Sequence, residues 1–103
     1  MRMMFKCEWP VEKGNELARK GELEKTIQAI LEEQKPEAAY FLASGGKRTV
    51  LLIVDLKNAS EIPKYAEPWF LAFDASIEIL PVMVAADLKK AGPSIAKAVK
   101  KYG

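Results

Sequence analysis

Residues 36–56 read PEAAYFLASGGKRTVLLIVDL, and their second half is apolar on both faces of any strand it could form. Gly45-Gly46 permits positive φ at both central positions of a tight primed turn, so the stretch predicts a β-hairpin. Before the turn, Tyr40, Leu42 and Ser44 alternate with Ala39, Phe41 and Ala43. After it come Val50, Leu51, Leu52, Ile53 and Val54 without a break. A strand with one solvated face would alternate, so this run requires cover above and below. A short chain supplies one covering layer easily and a second with difficulty.

The 103 residues are expected to form one domain with one core, residues 84–103 being a helical tail. A formal net charge of +2 is too small to argue for nucleic acid or an anionic membrane as partner. No apolar run is long enough to span a bilayer. The opening MRMMFKCEWP reads as a strand, not a secretory segment, and the one cysteine, Cys7, has no partner for an internal disulfide. A reducing cytoplasm is the expected setting. The chain has no histidine, which excludes Ser-His-Asp and Cys-His catalysis and every His-ligated metal or haem. Neither a metal nor another cofactor is expected.

Outward from the hairpin, Met3 to Trp9 reads as a first strand. Met3, Phe5, Cys7 and Trp9 share one face, and Met4, Lys6 and Glu8 the other. Pro10 ends it. A helical stretch from about Asn15 to Lys35, with Asn15 or Gly14 as N-cap, is interrupted at Gly21 and stopped by Pro36. Its apolar stripe is Leu17, Leu23, Ile27, Ile30 and Leu31. After the hairpin, Ser60 is expected to cap a second helix with Pro63 in its first turn. Ile62, Tyr65, Ala66, Trp69 and Phe73 form its stripe. Pro68 falls inside that pattern, so the helix should bend or restart there, freeing the Lys64 carbonyl. Residues 76–83 read as a fourth strand, at an edge or carrying a bulge because of Pro81. Asp87 to Ala91 reads as a helical turn closed by Gly92-Pro93, with Ser94 capping a terminal helix that docks through Ile95, Val99 and Tyr102.

The order is β-α-β-β-α-β, a ferredoxin-like α+β arrangement. Right-handed crossovers place both main helices on one face of an antiparallel sheet of spatial order 4-1-3-2. The other face, with Leu80, Val82, Met4 and half of the hairpin, is left apolar, and a second copy packed sheet against sheet would cover it. A homodimer is expected.

Motifs test the better-known families of this topology. RNA-recognition domains need aromatics on the third strand, which here reads TVLLI (49–53). The loop after the first strand, PVEKGNE (10–16), lacks the arginine of an acylphosphatase, and paired cysteines for a heavy-metal carrier are absent. Gly45-Gly46-Lys47 is followed by no helix, so it is not a phosphate loop.

The segments KGNEL (13–17), KPEAAYF (35–41), GGKRT (45–49) and IPKYAEPWFLAFDA (62–75) span nearly the whole chain. Together they resemble an uncharacterised bacterial family placed in the dimeric α+β barrel superfamily, the group of antibiotic-biosynthesis-type monooxygenases and muconolactone isomerase. The resemblance implies a dimeric α/β barrel with a small-molecule cleft between sheet and helices. It implies no catalytic residues, because the family has no established activity. Residues suited to such a cleft are Trp9, Tyr40, Tyr65, Trp69, Arg48, Glu67 and Glu78. Each also has a structural role open to it: the aromatics as core, the tyrosines bonding backbone carbonyls, Arg48 as a solvated hairpin side chain. Lys6, Glu8 and Glu78 share the face away from the helices. There they either form ion pairs with a partner or supply a desolvated carboxylate able to act as acid or base.

Three functions are consistent with these residues. The first is a small cytoplasmic homodimer that binds a small, partly aromatic molecule without catalysis. The second is a cofactor-independent monooxygenase or isomerase, with Glu8 or Glu78 as base and Tyr40 or Arg48 stabilising developing negative charge. The third is a module whose open sheet face recruits a different protein.

Overall fold

Alternation of side chains along Arg2–Glu8 (β1) buries Met3, Phe5 and Cys7 at every second position and leaves the intervening residues half-exposed. A computed structural model describes residues 1–103, and in it the alternation carries on through most of β3 but not along the exposed edge strand of the hairpin. After β1 come helices Val11–Arg19 (α1) and Leu23–Gln34 (α2), then the hairpin strands Ala38–Ser44 (β2) and Lys47–Asp55 (β3). A short 3-10 turn at Ala59–Glu61 leads into helix Ile62–Phe73 (α3), followed by strand Ser76–Pro81 (β4) and helix Ala85–Tyr102 (α4). The strands form one antiparallel sheet in the order β2-β3-β1-β4, which is 4-1-3-2 read from the other edge. Ser44 pairs with Lys47 around Gly45 and Gly46, whose φ values of 59° and 77° suit a two-residue primed turn.

Helices α1, α2 and α3 lie on one face. Leu17, Ile30, Ala66, Trp69 and Phe73 meet Phe5, Cys7, Val50, Leu52 and Val54 in a single buried cluster. At one end Trp9 stacks on Phe73 with ring centroids 4.6 Å apart, and Trp69 stacks on both. Burial of each such ring contributes on the order of 2–3 kcal/mol.

Gln34 ties this cluster to the turn of α3 before Pro68, which neither restarts nor interrupts the helix: α3 runs unbroken from Ile62 to Phe73. Pro68 has no N–H for the Lys64 carbonyl four residues earlier. The Gln34 side-chain amide donates from Nε2 to the Lys64 carbonyl at 3.4 Å and to the Tyr65 carbonyl at 3.0 Å. Its Oε1 accepts the Trp69 indole N–H at 3.1 Å. One buried amide on α2 thereby satisfies an indole and the loosened turn of the neighbouring helix.

Several boundaries differ from expectation. Helix α1 begins at Val11, directly after Pro10, so neither Gly14 nor Asn15 is a cap. Proline's fixed φ pre-sets the entry to the helix. Asn15 instead accepts a hydrogen bond from Arg48 Nη1 at 2.9 Å. The cap before α3 is Asn58, not Ser60: its side chain accepts from the Ser60 N–H, while Glu61 reaches back to the Asn58 N–H. Strand β4 stops at Pro81 instead of Met83, although the Val82 N–H still donates to the Arg2 carbonyl. The tail is one continuous helix through Gly92-Pro93, started by the Asp87 carboxylate on the Val84 N–H. Pro93 is tolerated because the Lys89 carbonyl it leaves unpaired lies on a solvated helix. That helix buries nothing: Ile95, Val99 and Tyr102 are 51%, 61% and 81% exposed, so the expected docking does not occur within the chain. The radius of gyration, 17.2 Å, reflects this projecting arm; a compact chain of this length would give about 13 Å.

Replacing Gln34 by leucine strands a buried indole N–H and two carbonyls while preserving apolar volume. Gln34→Leu should lower stability by about 2–3 kcal/mol in urea titration. A loss below about 0.5 kcal/mol would show that the amide bridge contributes nothing net.

Candidate functional site

The face away from the helices is a grid set by strand register. Its first row is Ala38, Ile53, Met4 and Leu80; its second is Tyr40, Leu51, Lys6 and Glu78; its third is Leu42, Thr49, Glu8 and Ser76. No helix covers it, although Thr49 within it is only 1% exposed. Tyr40 is 63% exposed, and Leu42 and Leu80 are each 41% exposed. Met4, Leu51 and Ile53 are half-buried by their neighbours in the sheet alone. The first row and the β2–β3 side of the grid are almost wholly apolar, whereas charge collects at one corner.

That corner holds a shallow depression of about 190 Å³ lined by Lys6, Glu8, Ser76, Ile77 and Glu78. Lys6 lies directly opposite Glu78 across the β1–β4 pairing, and Glu8 is one row on. The chain's ion pairs are Met1 with Asp55, Arg2 with Glu37, and Lys20 with Glu16, so none of the three corner charges is neutralised by a direct pair. Two carboxylates and one ammonium are free to bond something outside the chain. Ser76 is not among the site residues nominated from sequence, yet the alternation Ser76, Glu78, Leu80 carries it onto the same face.

The other residues expected around a cleft lie elsewhere. Trp9 and Trp69 are 2% and 0% exposed, locked in the aromatic stack on the helix side. Tyr65 is half-buried there against Phe5, with centroids 6.1 Å apart. Arg48 also projects to the helix side, bonding Asn15 beside the buried backbone of Gly14. A Cβ at Gly14 would lie 2.7 Å from Arg48 Nη1 and 3.0 Å from Trp9 Nε1, so only glycine admits both side chains. Glu67 is exposed on the outer surface of α3. The nominated residues thus divide into two groups on opposite sides of the sheet, Tyr40, Glu8 and Glu78 on the open side. Within one chain Tyr40 and Glu78 are separated by three strand spacings, roughly 14 Å.

With the geometry in hand, comparison places residues 1–96 in a match to a domain of unknown function, DUF3303. No curated protein matches the chain. No group of three or more His, Cys, Asp or Glu residues is arranged to hold a metal ion.

Cys7 belongs to the helix side and is fully buried. Burial disfavours the thiolate and pushes its pKa up to about 12, from an ordinary 9.0. A raised folded-state pKa leaves stability intact below pH 9, where both states keep the proton. Above it the unfolded chain ionises first, so stability falls as pH rises towards 12. At pH 8 the native thiol should resist iodoacetamide and react only after denaturation. Between pH 9 and 12, Cys7→Ala should show a shallower loss of stability than the wild type. Rapid native labelling, or identical pH slopes, would contradict this assignment.

Proposed function

This chain belongs to the DUF3303 family, and from that premise we propose a homodimer that binds a small, partly aromatic molecule between two facing sheets, without catalysis. The observation that carries this reading is the open sheet face, apolar over most of its grid and charged, without internal ion pairs, at one corner. A face of this composition is costly to leave in water. A second copy is self-complementary to it under two-fold symmetry.

The symmetry also suggests how the site is completed. Two aligned sheets pack about 10 Å apart. A two-fold axis parallel to the strands lays the β2 edge of one protomer over the β4 edge of the other, because the order β2-β3-β1-β4 is reversed by the rotation. Tyr40, remote from the charged corner of its own chain, then stands over the partner's Glu78, and Leu51 over the partner's Lys6. Each dimer has two such chambers, with a phenol and leucine as roof and the Lys6–Glu8–Glu78 corner as floor. The chemistry suits a ligand with a flat or apolar body and a cationic or hydrogen-bond-donating end, since carboxylates outnumber ammonium groups two to one. The arrangement is that of a dimeric α/β barrel, and it supports a role in binding inside a soluble assembly.

Light scattering tests the assembly. The wild-type particle should have twice the 11.5 kDa chain mass. Leu51 is half-exposed in the single chain, so Leu51→Lys should cost the monomer no more than about 1 kcal/mol while separating the dimer. A wild-type protein that stays monomeric at all concentrations would remove the proposal. Native mass spectrometry tests the chamber: a small molecule retained from the expression host should be lost in both Glu78→Gln and Tyr40→Ala.

A further inference from the structure

Helix α4 is an amphipathic rod with nothing on its apolar side. Leu88, Ala91, Gly92, Ile95, Val99 and Tyr102 recur at helical spacing along one side, and Lys89, Lys90, Lys97, Lys100 and Lys101 occupy the other. Eighteen residues give a rod about 27 Å long. Its apolar side mixes alanine and glycine with larger residues over a broad arc, which suits close approach to a groove better than the narrow seam of a paired coiled coil. Its root is tied closely to the sheet edge. The β1–β4 ladder continues to Val82, and Asp87 holds the Val84 N–H, so only Met83 and Val84 connect sheet to helix.

A second unpartnered surface lies at the opposite edge of the sheet. Leu23, Glu24, Ile27, Gln28 and Phe41 line an apolar groove of about 220 Å³ between α2 and β2. Phe41 has the parity of the core face yet is 54% exposed, because β2 is an edge strand that α2 does not reach across. Around this groove α2 and its two caps carry Glu22, Glu24, Glu32 and Glu33 against Lys25 and Lys35. The charges of rod and groove are opposite. In α4 five lysines face one aspartate, which leaves eleven basic and thirteen acidic residues in the remainder of the chain.

We propose that α4 of one protomer wraps the β2 edge of its partner and seats Ile95 and Val99 in the partner's α2–β2 groove, its lysines beside the partner's α2 glutamates. This rests on the sheet-face dimer. The axis parallel to the strands that brings Tyr40 to the partner's Glu78 also brings the root of each α4, at the β4 edge, next to the partner's β2 edge. The arm then locks the chamber from outside, and the exposed Phe41 and the exposed stripe of α4 cover one another.

Cross-linking between differently marked full-length chains tests it. Ala98→Cys marks the flank of the α4 stripe and Gln28→Cys marks the groove; both are surface positions whose replacement spares the core. With a short bismaleimide, a mixture of the two variants should yield covalent dimers that neither variant gives alone, and Ile95→Glu added to the Ala98→Cys chain should abolish them. By light scattering Ile95→Glu should also raise the dimer dissociation constant roughly 30-fold. Self-linking of Ala98→Cys alone would mean that α4 pairs with α4 and would overturn the inference. So would linking within a monomer that carries both cysteines, or sedimentation with phosphatidylserine vesicles that Ile95→Glu prevents. An unlinked but dimeric protein would remove the arm and leave the sheet-face dimer standing; an unlinked monomer would remove both.

Discussion

A β-sheet has two faces, and the connections of this chain send every covering helix to the same one. β3 is central and apolar on both sides, with Val50, Leu52 and Val54 under the helices and Leu51 and Ile53 on the opposite face. Handedness allows the crossovers between β1 and β2 and between β3 and β4 no other side. The remaining helix could have served as the second layer. The ladder through Val82 and the short Met83-Val84 link instead carry α4 off the β4 edge, where it buries none of its residues. An uncovered sheet and an unpartnered helix are therefore two results of one topological constraint, and in the proposed dimer a rotated copy of the chain would answer both together.

The features legible in sequence are those decided by residues close together in the chain. Gly45-Gly46 defines the hairpin, Gly21 with φ of 71° separates α1 from α2, and the alternation along β1 assigns every side chain to its face. Pro68 even announced the loosened Lys64 carbonyl. What accepts responsibility for that carbonyl, Gln34, lies 30 residues away and looks in sequence like one more polar residue at the end of an acidic helix. Asn15 was misjudged for a similar reason. Asparagine near a helix start suggests a cap, but Pro10 had already opened the helix, and the side chain was free to meet Arg48 from the hairpin. Asn58 and Ser60 competed for one cap, and the outcome turned on Glu61, whose carboxylate closes the reciprocal pair only with Asn58.

Candidate site residues were harder to group, because residue type was a weaker guide than parity. Trp9 has the parity of Phe5 and Cys7, and Arg48 that of Val50, so both point to the helices, where the stack with Trp69 and Phe73 leaves no cleft. Glu8, Lys6 and Glu78 have the opposite parity and share a depression, as their alternation required. Tyr40 shares their face but sits at the far edge. Its distance from the carboxylates is a property of strand order, which no local pattern encodes.

The uneven charge of the open face bears on how two copies could close. Ile53, Met4 and Leu80 lose only water when a second sheet meets them. Burying an unpaired carboxylate costs several kcal/mol, more than its apolar neighbours return. Two facing grids therefore seal most readily where they are apolar and part where they are charged. In the proposed dimer each charged corner, under the partner's Tyr40, would retain either water or a ligand that supplies the missing positive charge. In the proposed dimer the chamber would thus be no accident of imperfect packing: with two glutamates set against one lysine at the depression, such an interface would be stable only if that space stayed open to a polar occupant.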